Sequence, residues 1–277
     1  MWPFSRQPVV PVLRFTGPIG MATPLRPGIS ISSYAGAIEK AFKLSKLPSV
    51  AVMINSPGGS PVQSNLIFRR IRQLAAEKEK RVYVFCEDIA ASGGYYLAIA
   101  GDEIYADPSS IVGSIGVISQ GFGFVEALKK LGVERRVYTS GVNKSILDPF
   151  SPEKDEDVAR LKALQSDVHD VFIGLVKERR AGKLKGQDAE LFSGAFWSGP
   201  KAVEFGLVDG IADVRSKMQE LHGKDVKLSV VSPEKSGLLS RVRRLTAEDA
   251  AHPPSLAFAE DLVSALEARA LWSRFGL

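Results

Sequence analysis

The chain has 277 residues, 45% of them hydrophobic and 24% charged, with a formal net charge of +5. That length can bury a sizeable core, and the composition is that of a folded globular protein rather than a disordered or fibrous one. A lone cysteine, Cys86, excludes an intramolecular disulfide and with it a disulfide-stapled secreted domain.

The N-terminal stretch MWPFSRQPVVPVLRF carries Pro3, Pro8, Pro11 and Arg6, which break up a signal-peptide core. No run approaches the roughly 20 apolar residues of a membrane-spanning helix. These two features lead to the expectation of a cytoplasmic protein, with peripheral contact to the inner membrane left open. VPVLRFTG reads as a first strand, and ISSYAGAIEKAFKLSKLPSV as a helix with Tyr34, Ile38, Ala41, Phe42 and Leu44 on one face, ended by Pro48. SVAVMIN is a continuous apolar run of strand length, suited to a strand covered on both faces. After a Pro-Gly-Gly turn, Leu66, Ile67, Ile71, Leu74 and Ala75 line a second helix whose other face is charged.

RVYVFCE follows as a strand and ASGGYYLAIAG as a short helix; DEIYAD, SIVGSIGVIS and RRVYTSG add strands, with FGFVEALKKLG a helix between the last two. A long helix spans Pro152 to about Arg180 and ends in a basic Lys-Glu-Arg-Arg run whose charges are expected to face solvent. AELFSGAFWSGPKAVEFGLVDGIAD places a loop, a helix and a strand-like turn. The alternation of strands and helices predicts an α/β layer structure. Residues 1–8 read as a tail, 9–230 as the domain, and 231–277 as a linker with a C-terminal helix. That helix is expected to dock on its own domain or on a sister subunit, because Glu260, Asp261 and Glu267 do not make the basic face of a membrane-surface helix.

The sequence is poor in the usual catalytic signals. It has three histidines, His169, His222 and His252, none in a Gly-rich turn, so each reads as structural or solvated. There is no G-x-S-x-G elbow, no phosphate-binding loop and no metal-ligand cluster, and the mild positive charge is spread along the chain. No cofactor, metal or nucleic-acid partner is expected.

Ser92, in DIAASGGYYLAIA, follows a small-residue turn and opens a helix. Such a hydroxyl suits a nucleophile, and equally an ordinary helix N-cap. The bare amides of SPGG at another strand end would let a carbonyl approach the backbone without meeting a Cβ, and with the Gly93 N–H they offer two donors to an oxyanion. A serine without histidine needs another base. A lysine can serve if it is neutral at working pH, which calls for distance from water and from carboxylates. Lys144, in the loop TSGVNKSILDPF with no acidic residue until Asp148, is the best candidate, although a solvated loop lysine reads the same way.

INSPGGS, DIAASGGYYLA, SIVGSIGVI and TSGVNKSILDPF, in that order, resemble the signal peptide peptidase A family of serine proteases, within the ClpP/crotonase superfamily. The resemblance implies a fold of repeated β-β-α units and a Ser-Lys dyad. Ser92 takes the nucleophile's place, Lys144 the general base's, Ser114 that of the serine orienting the lysine amine, and Gly59 with Gly93 that of the oxyanion hole. A ClpP-type triad is unsupported, since no histidine lies between Ser92 and His169. The resemblance also implies ATP-independent cleavage of peptides, signal peptide remnants or membrane-associated or unfolded segments, and a homo-oligomer, a ring or dome from tetramer to octamer. Two alternatives stay open. One is a non-catalytic scaffold that binds peptides or a membrane-associated partner, and the other is an esterase or amidase using the same dyad.

Overall fold

A computed structural model describes residues 7–20, 28–233, 266 and 269–277. Val9–Thr16 (β1), Ser49–Ser56 (β2) and Arg81–Ala91 (β3) form the middle of an eight-stranded sheet. Their runs of Val, Ile and Phe are buried on both faces, which is why they read as continuous apolar stretches instead of alternating ones. The remaining strands are Glu103–Ala106 (β4), Ile111–Gly113 (β5), Phe196–Ser198 (β6), Gly210–Ile211 (β7) and Lys227–Val231 (β8). The main path runs β6-β5-β3-β2-β1-β8, with β4 joining β3 to β7. All pairings are parallel except β5 with β6.

Helices Ile31–Leu44 (α1), Pro61–Glu77 (α2) and Gly93–Ala98 (α3) send Ile38, Phe42, Ile67, Ile71 and Leu97 onto one face of the sheet. Fully burying each such side chain contributes about 1.5–3 kcal/mol. Val125–Leu131 (α4) stands apart from this core with no buried residue. Asp155–Arg179 (α5) returns to it through Phe172 and Val176 near its C-terminal end. Asp188–Leu191 (α6) and Gly199–Glu204 (α7) add Leu191 and Ala202 to the same layer. Val214–His222 (α8) covers the opposite face, where Met218 meets Val10, Val12, Tyr83 and Phe85. Start and stop signals are local: Ser30 and Ser60 cap α1 and α2 with their hydroxyls, and Pro61 opens α2.

Strand β3 changes neighbours halfway. Tyr83–Cys86 pair with β4, and Ile89–Ala91 pair with β5. Between these halves the register with β2 shifts, so Glu87 and Asp88 bulge from the ladder. The bulge carries the last three residues of β3 to a new partner, immediately before Ser92.

Several expectations need correction. RRVYTSG is not a strand; residues 134–139 have no regular structure and are exposed. A strand requires a hydrogen-bonded neighbour, and among the described residues this segment has none. SIVGSIGVIS contributes only Ile111–Gly113 to the sheet. Leu44 and Leu66, expected on buried faces, are exposed. β8 was not among the expected strands, though it pairs with β1 over five residues. The basic run ending α5 does not face solvent throughout: Arg180 is 2% exposed and held by the Gly206 carbonyl and the Asp209 carboxylate. His252 and most of the expected terminal helix lie outside the described residues.

Candidate active site

Two strand ends meet at the site. At the end of β2, the buried Ser56 hydroxyl donates to the Gly17 carbonyl at 2.7 Å and accepts from the Gly58 amide at 3.2 Å, pinning the turn from within. Gly58 and Gly59 have φ of 102° and 138°, a region that L side chains rarely adopt. A Cβ on Gly58 would lie 2.7 Å from the Gly93 nitrogen and 2.8 Å from the Ser92 Cβ. A Cβ on Gly93 would lie 3.2 Å from the Gly59 nitrogen. The two glycine turns therefore touch, and only residues without side chains let them do so.

Ile19 straps this arrangement from outside. Its amide donates to the Gly58 carbonyl at 2.8 Å, and its own carbonyl accepts from Ser60 at 2.9 Å. Among the described residues that leaves the Gly59 amide without a backbone acceptor, as the first amide of α3, Gly93, also is. Both N–H groups are thus available beside Ser92. Sequence reasoning missed Ile19; its only local signal is an isolated apolar residue between Pro18 and Gly20.

Ser92 is the N-cap of α3, but its side chain makes no capping hydrogen bond. Its backbone sits at φ 52°, ψ −121°, a conformation a serine holds only where the surroundings over-determine it. The Ser92 amide donates to the Gly113 carbonyl at 2.8 Å. Ser114, the next residue after Gly113, also has φ 52° and is 5% exposed, with its amide donating to Ala195 at 2.7 Å. His169 meets the carbonyl of Ile115 at 3.0 Å through Nε2, fixing the strand exit just beyond Ser114 from α5. Ser92, Ser114, Gly59 and Gly93 are thus brought together by β2, β3, β5 and α3.

Lys144 is placed elsewhere. It is exposed, with its amide donating to Gly141 at 3.2 Å and its Cγ lying 3.5 Å from where a Gly141 Cβ would be. Among the described residues no hydrogen bond or ion pair joins it to Ser92 or Ser114. It belongs to an arm, residues 117–154, that leaves the sheet after β5 and returns as α5. Hydrogen bonds of residues 124–151 close within that span: Phe124 donates to Pro149 at 2.7 Å, and Arg135 to Asp148 at 2.9 Å. Asp148, the nearest acidic residue in sequence, is thereby engaged with Arg135 and Ser151. Phe122, Leu131, Tyr138 and Val142 of the arm are 75–98% exposed.

Cys86, the one thiol, is buried in β3; burial pushes it up to about 12 against a smaller opposing pull from Arg180. A thiol held protonated in this way is no nucleophile. Among the described residues no group of His, Cys, Asp and Glu is arranged to hold a metal ion.

The profile of "Peptidase family S49" matches residues 75–228, a span that includes Ser92, Ser114 and Lys144. Two Brucella proteins named "Na(+)/H(+) antiporter NhaA" are 55% identical over 97% of this chain, which spans only 37% of their length. The protein slr0021 of Synechocystis sp. is 34% identical over 90% of this chain and 87% of its own. Among solved structures, a serine-to-alanine mutant of the 1510-N membrane-bound stomatin-specific protease superposes with a TM-score of 0.51 at 14% identity, covering 83% of this chain and all of that one. That likeness bears out the expected ClpP/crotonase-like α/β fold. With the profile covering more than half of its residues and a relative aligned along almost its whole length, the chain belongs to peptidase family S49.

Proposed function

We propose that the chain is an ATP-independent serine endopeptidase with Ser92 as nucleophile and Lys144 as general base. The observation that carries this reading is Ser92 itself: a non-glycine residue at φ 52°, its hydroxyl unspent on capping, beside two unclaimed amides. An N-cap serine has no need of that conformation; a nucleophile exposed to a carbonyl does. In the proposed reaction Ser92 Oγ bonds to the substrate carbonyl carbon as its proton passes to Lys144 Nζ. The Gly59 and Gly93 N–H groups take the oxyanion. Collapse breaks the C–N bond, the amine leaves with the proton from Lys144, and water then hydrolyses the acyl-enzyme with Lys144 again accepting a proton. Ser114 orients the lysine amine. Substrates are extended segments of signal peptide remnants or of membrane-associated or unfolded proteins.

The lysine is supplied by a second copy of the chain in a ring or dome. Supporting this are the exposure of Lys144, the absence of contact with its own Ser92, and the exposed apolar residues of the arm around it. The antiporter name does not extend to this chain's function. It belongs to proteins of which this chain matches 37%, and among the described residues no helix is long and apolar enough to cross a membrane.

The test is acylation by a fluorophosphonate probe and cleavage of quenched-fluorescent casein. Wild type should react; Ser92→Ala and Lys144→Ala should each be inert, and co-assembly of the two variants should restore cleavage. Full activity in Lys144→Ala would remove the base assignment. No recovery in mixed assemblies would place the lysine within one chain. A wild type inert to both reagents would leave a peptide-binding scaffold as the function.

A further inference from the structure

The strain at Ser92 has to be held by something, and α3 alone is too short to do it. A six-residue helix is far below the length at which a helix sustains itself. Its own contacts show what holds it. Ile99, Ala100 and Gly101 present three successive carbonyls at its C-terminal end, and all three are taken by guanidinium groups. Arg179 Nε donates to Ile99 O at 3.0 Å and its Nη2 to Gly101 O at 2.9 Å, while Arg72 Nη1 donates to Ala100 O at 3.0 Å. Asp102 balances both charges, 2.8 Å from Arg72 and 3.6 Å from Arg179.

The middle of the helix is held by the neighbouring residue. Tyr95, three positions after Ser92 and fully buried, donates its hydroxyl to the Leu207 carbonyl at 2.8 Å. Burial pushes that phenol up, so it stays a donor throughout the working pH range. The turn bearing Leu207 is fixed by Arg180, whose Nε and Nη2 donate to Gly206 O at 2.9 and 2.7 Å. Arg180 Nη1 meets Asp209 at 2.7 Å. A buried ion pair is weak evidence of stabilisation, since apolar residues of similar volume often serve as well. What distinguishes this one is where its hydrogen bonds go.

We propose that Arg179 and Arg180, consecutive at the end of α5, are positioning residues that clamp α3 from behind and thereby hold Ser92 Oγ and the Gly93 amide in register with Gly59. The inference rests on the protease reading of the site. It also gives α5 a role: its last turn grips the nucleophile's helix, while its first residues continue from the arm that carries Lys144. The arm and the nucleophile are thus joined by one rigid element.

The test uses Tyr95→Phe, Arg179→Met and Arg179→Lys in the full chain; Arg180 variants are avoided because losing a fully buried guanidinium that holds both Gly206 and Asp209 can prevent folding. Tyr95→Phe and Arg179→Met should lower kcat for peptide cleavage, and the rate of fluorophosphonate acylation, by about ten- to a hundredfold with KM within about twofold. Amide exchange should quicken in residues 93–101 and stay unchanged in β1 and β2. Arg179→Lys should recover part of the rate, because an ammonium can still donate to the carbonyls. Unchanged exchange in α3 overturns the clamp whether or not the chain is a protease, and so do unchanged rates per folded molecule. A wild type that no probe acylates sinks the protease reading instead, and is told apart by that control alone.

Discussion

Residues 54–60 and 89–96 are fixed on all sides by backbone contacts, whereas the arm from 117 to 154 hydrogen-bonds mainly within itself and leaves Tyr138 and Val142 almost wholly in water. The first region carries Ser92, Gly59 and Gly93; the second carries Lys144. A nucleophile and an oxyanion hole need placement to a fraction of an ångström before substrate arrives, which demands the rigid region. An apolar surface that is exposed and tied only to itself marks an interaction site, and on the proposed reading a second copy of the chain covers it. On the proposed reading, the contrast means that the serine's half of the dyad is set by folding and the lysine's half by assembly.

Glycine substitutions give the largest separation between the two regions. A Cβ on Gly94 would lie 2.4 Å from the Ser56 carbonyl oxygen, a backbone atom that cannot swing aside. Gly94→Ala should therefore destabilise by about 2–3 kcal/mol, the scale of overpacking a tight core. Gly123 in the arm has nothing within 4 Å of its Cβ position, and Gly123→Ala should stay within about 0.5 kcal/mol of wild type. Urea midpoints measure both; equal midpoints for the two variants would abolish the distinction.

Much of the rigid region was legible because its constraints are local. Two glycines side by side after a buried strand announce a backbone contact, and Ser-Gly-Gly before an apolar helix announces the surface it meets. The continuous apolar runs of β2 and β3 need no partner information to be read as buried strands. What was illegible depends on residues far away in sequence. Arg180 looks like an ordinary helix-ending cation until Gly206 and Asp209 are seen around it. Ile19 acquires its role only by pairing with Gly59. RRVYTSG has strand-like composition, but among the described residues no strand pairs with it. Lys144 could be named from its motif, yet its distance from any carboxylate in sequence said nothing about its distance from Ser92 in space.

The arm sharpens the comparison at the next level of effect. Val142 is 98% exposed, so Val142→Asp removes no contact within the chain and should leave the stability of the monomer, measured at protein concentrations too low for assembly, unchanged. A buried charge at an assembly surface is a different matter, and the same substitution should shift the sedimenting species from oligomer toward monomer. Loss of casein cleavage should accompany that shift even though Ser92 and Lys144 are intact. If Val142→Asp remains oligomeric and active, the arm is not the assembly surface, and the exposed apolar residues require another explanation.

Acid should produce the smallest effect, and it should arise in the rigid region. His222, at the end of α8, lies 2.9 Å from the Ser49 hydroxyl, and burial lowers its pKa below 6.5. Burial of Asp209 acts to raise its pKa, but hydrogen bonds and charge from Arg180 and Lys183 outweigh that and hold it below 3.8. Both groups resist protonation more when folded than when unfolded, so the unfolded chain binds the extra protons and stability falls as pH falls. The His222 contribution is complete above 6.5 and is lost as pH drops through its lowered value; that of Asp209 persists until well into the acid range. His222→Gln should therefore flatten the upper part of the curve of urea midpoint against pH, between about pH 7 and 5, and leave the acid limb in place. Parallel curves for wild type and variant across that window would mean that His222 is as easily protonated in the folded protein as in the unfolded chain, and that the start of β2 at Ser49 is more open to water than its packing implies.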